Sequence, residues 1–315
     1  MSEADARRER IGWVGLGRIG APMAERVRAA GWPLVLWARR PEAVAEAAWA
    51  GGEGPSGASG PVSSVGPVAS VAPVAPVAPV EWADSAQALA ERADIVCTIV
   101  TGSDDVGALH QAMMPRARPG TLFIDFTTAA PRVAAAAQRL AAAHGHQSLE
   151  APVTGGVAGA MRGTLTGFVG GDAAALHRAR PLLLAFANKL VHCGPAGSGY
   201  RFKLLNQTLM AGILLGLADG ARLARAAGVP AEALLPALAD GTARSMLLDS
   251  YLPRMLGGEG PVTFTLALLL KDLRLAREEA TALQVSAPLL DAAIAAAAAA
   301  IERHGPDAGV QALAR

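Results

Sequence analysis

The chain has 315 residues, 52% of them hydrophobic and 17% charged, which suits a globular protein with room for two domains and sizeable cores. A formal net charge of +1 leaves no basic tail or stripe for a nucleic-acid partner, and small clusters such as Arg7 with Arg8 read as solvated surface. Cys97 and Cys193 stand far apart without C-x-x-C spacing, which points away from a disulfide framework or a zinc site and toward a reduced compartment.

Residues 1–10 are polar and charged and lack the apolar stretch of a secretory signal, so a cytoplasmic location is expected. Ile11-Gly12-Trp13-Val14 then reads as a buried strand, Gly15-Leu16-Gly17-Arg18-Ile19-Gly20 as a tight turn, and Ala21-Pro22-Met23-Ala24 as the opening of a helix. Pro22 suits a first helical turn, where its missing N–H costs nothing. A second apolar strand, 34–37, ends in Ala38-Arg39-Arg40-Pro41, and a helix over 42–49 follows. Residues 51–80 break the pattern. Pro61, Pro67, Pro73, Pro76 and Pro79 punctuate a run of Val, Ala, Ser and Gly, and the segment reads as a disordered or polyproline-like surface loop.

Alternation then resumes, with helices expected over 85–92, 106–113, 131–144 and 173–187 and strands over 95–100, 121–125, 147–151, 165–169 and 190–193. Strands alternating with helices over this length predict an α/β fold, a doubly wound and mostly parallel sheet covered on both faces. From Ser198 onward the strand signals stop and the rest reads as an all-α domain. The expected domains are therefore 10–194 and 195–315. Residues 293–301 are apolar, but Asp291 and Glu302 bracket them and they fall well short of the ~20 residues of a membrane span, so no membrane partner is expected.

Gly15, Gly17 and Gly20 form G-x-G-x-x-G after a strand and before a helix. In that context the first glycine permits the turn, the second lets backbone approach a pyrophosphate, and the third allows close helix packing, with Leu16, Arg18 and Ile19 completing the phosphate loop. An acidic residue at the end of the second strand would accept from the ribose hydroxyls of NAD. This chain has Arg39 and Arg40 there, which suit a phosphate, so NADP(H) is expected in preference to NAD(H). The six histidines show no ligand spacing with Cys or carboxylates, and no metal is expected. Lys203, Asn206 and Gln207 are three and four residues apart, so on a helix they share one face.

Together, the glycine motif, Asp125-Phe126-Thr127-Thr128, Glu150-Ala151-Pro152-Val153-Thr154-Gly155-Gly156, Gly163-Thr164-Leu165, the segment from Gly197 to Gln207, and Lys271-Asp272-Leu273 resemble the β-hydroxyacid dehydrogenases, in the same order over nearly the whole chain. The resemblance implies a Rossmann-type domain followed by a helical substrate and dimerisation domain. It implies an enzyme that interconverts a small β-hydroxyacid and its semialdehyde or keto form with Lys203 as general acid and base. It places Thr154, Gly155 and Gly156 on the substrate carboxylate, with Asn206 and Gln207 also on the substrate. Gln207 stands where the family's second Asn is usual. Val100, Thr128 and Lys271 match positions near the cofactor, although Val100-Thr101 replaces the usual Leu-Pro. Helical domains of the family pack between subunits, so a homodimer or homotetramer is expected, with the Ala-rich stretches 209–227 and 292–301 allowing close helix approach. Imine reductases look similar in fold and glycine motif but typically carry Asp or Tyr at the position of Lys203. A non-catalytic cofactor-binding scaffold of the same fold would usually lack the lysine.

Overall fold

A computed structural model of the chain describes residues 9–40, 79–257 and 260–315. The chain divides into two compact units, residues 1–201 and residues 202–315. The helix expected over 42–49 and nearly all of the Pro-rich segment lie outside the described residues. Val80, taken as the last residue of that segment, instead opens a strand.

The first unit is built on β1 (Ile11–Val14), β2 (Leu34–Trp37), β3 (Val80–Trp82), β4 (Ile95–Thr98), β5 (Leu122–Asp125), β6 (Gln147–Glu150), β7 (Val153–Thr154), β8 (Leu165–Gly171) and β9 (Ala187–Gly194), in one sheet ordered β3-β2-β1-β4-β5-β6-β8-β7, with β9 also on β8. The stretch from β3 to β6 is parallel throughout. Residues of the central strands β1, β4 and β5, and nearly all of β2, are buried on both sides, as a sheet covered on both faces requires. Ile11, Trp13, Leu34, Leu36, Ile95, Cys97, Leu122 and Ile124 enter one core, and Val14, Val35, Val96 and Phe123 enter the other. In the first core Trp13 stacks on Phe126 at 5.6 Å, and Phe186 meets both rings edge-on. Each such pair contributes about 0.5–1.5 kcal/mol beyond its buried area.

Around the sheet run α1 (Gly20–Ala29), α2 (Ala86–Ala90), α3 (Ser103–Met113), α4 (Pro131–Ala143), α5 (Gly156–Arg162) and α6 (Ala173–Leu183). The Ser85 hydroxyl caps α2 and the Asp172 carboxylate caps α6. β6 and β7 run antiparallel to β8 in one unbroken register, from Leu149 opposite Gly171 to Thr154 opposite Thr166. They form one strand interrupted at Ala151-Pro152, where proline has no N–H to offer the ladder.

A 29-residue helix, α7 (Ser198–Ala226), begins in the first unit and carries the chain into the second, which continues with α8 (Ala231–Ala239), α9 (Met246–Met255), α10 (Leu266–Ala282) and α11 (Pro288–His304). Residues of α7 are buried at 204, 207, 211, 214, 218, 221 and 224, the three-and-four spacing of one helix face. Among the described residues α7 is the one helix long and apolar enough to cross a membrane by length and composition. Ala293, Ala297 and Ala300 of α11 are buried within the unit, so this part of the alanine stretch expected to serve subunit contact is taken up by packing inside the chain.

Candidate active site

The glycine turn is held by contacts that distinguish its three glycines. Gly15 follows β1 with φ +99°, a conformation that side chains disfavour, and a Cβ there would lie 1.9 Å from the Ile99 carbonyl oxygen. Trp13 Nε1 donates to the Gly15 carbonyl at 3.2 Å, tying the turn to the core. A Cβ at Gly20 would lie 2.1 Å from that same carbonyl, so the third glycine lets α1 close against the turn. Around Gly17 the space is open, with nothing within 4 Å of a would-be Cβ. Gly17 accepts the first helical bond from the Ala21 amide at 2.9 Å. Leu16 and Ile19 pack against the core beside the turn, while Arg18 is exposed. Two glycines closed off by backbone and a third left open form a cradle that fits a dinucleotide pyrophosphate at a helix amino terminus.

Four other positions expected near the cofactor gather at the same carboxyl edge of the sheet. Arg39 and Arg40 follow β2, Val100 follows β4 and Thr128 follows β5. In open α/β sheets this edge is where ligands bind. The Val100 amide donates to Thr127 Oγ1 at 3.0 Å, which joins two of these loops. Arg39 is 69% exposed and pairs with Asp105 of α3 at 3.1 Å.

Asp125, at the end of β5, had no role assigned from the sequence. It accepts from the Thr98 and Thr127 hydroxyls at 2.6 and 2.8 Å, from the Thr127 amide at 3.1 Å, and from the Tyr200 hydroxyl. Its register partner on β6 is Glu150, another buried carboxylate, which accepts from the Gly197 and Gly199 amides. Thr154 closes β7, and Gly155 (φ +122°) and Gly156 (φ +66°) turn the chain into α5. Thr154 is half-buried and both glycines are exposed.

In the second unit, Lys203 is buried on the second turn of α7. Desolvation pushes its amine down to about 8. Asp272 opposes that shift and Lys271 adds to it. Burial is the principal cause of the fall. Asn206 Nδ2 donates to Gln207 Oε1 at 2.9 Å, and Gln207 Nε2 donates to Asp272 Oδ2 at 2.6 Å. Lys271 Nζ lies 2.8 Å from the other carboxylate oxygen of Asp272. The structure brings Lys203, Asn206, Gln207 and Lys271 together around Asp272, a carboxylate that the sequence left without a role although it stood inside the Lys271-Asp272-Leu273 motif. Among the described residues no group of three or more His, Cys, Asp and Glu side chains could hold a metal ion.

Two family models match the chain. The NAD-binding domain of 6-phosphogluconate dehydrogenase matches residues 10–194, and the NAD-binding domain of NADP-dependent 3-hydroxyisobutyrate dehydrogenase matches residues 197–315. The chain belongs to the β-hydroxyacid dehydrogenase family. This dehydrogenase is 32% identical over 288 residues to a probable 3-hydroxyisobutyrate dehydrogenase of Mycobacterium tuberculosis, covering 89% of this chain and 88% of the relative. It is also 32% identical over 291 residues to the NAD-dependent L-serine dehydrogenase of Pseudomonas aeruginosa, with the same coverage. The solved structure of Mycobacterium tuberculosis 3-hydroxyisobutyrate dehydrogenase with L-serine matches at a TM-score of 0.78 and 30% identity, covering 98% of both chains. The Rossmann-type sheet domain followed by an all-helical domain is the family's fold. The dehydrogenase is an NAD(P)-dependent oxidoreductase acting on CH–OH groups.

Proposed function

We propose that this dehydrogenase interconverts a small β-hydroxyacid and its semialdehyde, with NADP(H) preferred over NAD(H) and Lys203 as general acid and base. The observation that carries the reading is a buried lysine whose amine is held at about 8, in the range where an acid–base group serves both directions near neutrality. Bound NADP(H) supplies the hydride acceptor or donor. In oxidation, neutral Lys203 Nζ takes the hydroxyl proton. In reduction, the ammonium returns a proton to the carbonyl oxygen. The Thr154 hydroxyl and the Gly155 and Gly156 amides hold the substrate carboxylate. Half-buried Asn206 meets the substrate, while Gln207, committed to Asp272, orients that carboxylate beside the lysine. Val100, Thr128 and Lys271 border the nicotinamide end.

The relatives support the substrate class. 3-Hydroxyisobutyrate and L-serine share a primary alcohol on the carbon next to the one that bears the carboxylate. The cofactor preference rests on Arg39 and Arg40. The exposed Arg39–Asp105 pair contributes only about 0–1 kcal/mol, so a doubly charged ribose phosphate displaces Asp105. Steady-state rates with NADP+ and NAD+ on 3-hydroxyisobutyrate and L-serine, and NADPH consumption with methylmalonate semialdehyde, tartronate semialdehyde and a cyclic imine, test the proposal. The expected result is turnover of hydroxyacids and semialdehydes, with kcat/KM about tenfold or more higher for NADP(H), the worth of one charge-assisted contact. A clear NAD(H) advantage would overturn the cofactor assignment. Turnover of the imine alone would overturn the substrate class and favour an imine reductase.

A further inference from the structure

The interrupted strand that carries the Thr154 motif has a second feature, just before its break at Ala151-Pro152. Glu150 closes β6 with 3% of its surface exposed, and its Oε1 accepts from the Gly197 amide at 2.6 Å and the Gly199 amide at 3.1 Å. Those amides flank Ser198, the first residue of α7, where a helix has N–H groups that its own turns do not satisfy. The surroundings leave no slack. A Cβ at Gly170, opposite Glu150 in the ladder, would lie 1.9 Å from Glu150 Oε1, and a Cβ at Gly199 would lie 2.5 Å from the Phe168 carbonyl oxygen. One residue on, the Tyr200 hydroxyl donates to Asp125, the register partner of Glu150. Two carboxylates at the ends of adjacent strands thus grip the first turn of α7, one through backbone amides and one through a side chain.

We propose that Glu150 is a positioning residue for the dehydrogenase reaction, its carboxylate fixing the amino-terminal turn of the helix that bears Lys203. The inference rests on the role given to Lys203 above. The titratable groups that face Glu150 are Asp125 on β5, Cys193 on β9 and Tyr200 on α7. Burial pushes Cys193 up to about 11 and Tyr200 well above its usual range, so both stay neutral near pH 7. Burial likewise raises Glu150 to about 7, with the Gly197 and Gly199 amides pulling the other way and Asp125 adding to the rise. The amides favour the anion, so by reciprocity the anion strengthens the amide contacts and protonation weakens them. Turnover in the reductive direction should then fall below pH 7 as Glu150 takes a proton, and fall above pH 8 as Lys203 loses one.

The test uses the full chain with E150Q and E150A. Hydrogen–deuterium exchange reports on the amides of residues 197–204, and kcat and KM against pH are measured in the reductive direction. E150A should expose those amides and lower kcat by about tenfold or more, the fold-change equivalent of one strong helix cap, with KM for NADPH unchanged. E150Q keeps an acceptor of the same shape, so it should hold the helix start in part while losing the acidic limb of the profile. Wild-type protection of residues 197–204 in E150A, or an acidic limb that persists in E150Q, would overturn the proposal. Should E150A not fold, E150Q decides alone. A wild-type enzyme that reduces no semialdehyde would defeat the assignment of function, while the exchange measurement would still decide whether Glu150 holds the helix.

Discussion

The protonation of Lys203 is set by burial and by two neighbouring charges. Burial drives its amine toward neutrality, Asp272 restrains that fall, and Lys271 adds to it. Removing the charge of Asp272 while keeping an acceptor for Gln207, as Asp272→Asn does, should lower the Lys203 pKa below about 8. The rising limb of oxidative turnover against pH should then move to more acidic values, because oxidation needs the neutral amine. An unchanged or more alkaline limb would contradict the role of Asp272. At this scale the sequence revealed residues that a motif marks, such as Lys203, Thr154 and the glycines. Asp125, Glu150 and Asp272 also stand in motifs, but the sequence assigned them no role, because their partners lie 75, 47 and 65 residues away in the chain.

Among the elements, the glycine turn separates fold from function most cleanly. Gly17→Ala places a methyl group in open space, so the melting temperature should hold while KM for the cofactor rises about tenfold or more through lost approach to the pyrophosphate. Gly20→Ala drives a methyl group into the Gly15 carbonyl, so it should lower stability by about 1–3 kcal/mol. If both variants lost only stability, the cradle reading would fail. Most strands and helices were legible from apolar runs and caps, with boundaries shifted by a few residues. β3 escaped notice because three residues beside a run of Pro, Val and Ala carry no periodicity of their own; parallel pairing with β2 makes them a strand. β7 and α5 escaped because a two-residue strand and a glycine-rich helix both read as loop. The first turn of α3, with Ser103, Asp104 and Asp105, did carry a signal, since acidic residues favour a helix amino terminus.

At the scale of the whole molecule, the second unit has apolar surface in excess of what its own packing uses. Leu205, Leu209 and Leu223 of α7, with Met246 and Leu289, are more than half exposed. The carboxyl half of α7 with α8 and α9 also borders an apolar cavity of about 760 Å³, lined among others by Leu217, Leu234 and Leu252. Exposed apolar patches of this kind mark contact surfaces, and we expect a second copy of the chain to cover this one. Light scattering should give at least twice 32.0 kDa at micromolar concentration. Leu209→Glu, which places a charge on a residue 71% exposed, should shift the mass toward the single chain without unfolding it. A wild-type mass of one chain would contradict the expectation. The fold class was readable at this scale because β-α alternation followed by helices has few solutions. Which helix faces stay exposed depended on packing that periodicity alone does not reveal.

The proton-transfer role of Lys203 is tested most directly by single-turnover hydride transfer in Lys203→Ala, with NADPH binding measured on the same sample. The account predicts that NADPH binds as in the wild type and that the reduction step slows by about a hundredfold or more, as loss of an acid–base group requires. Near-wild-type transfer with intact binding would contradict it.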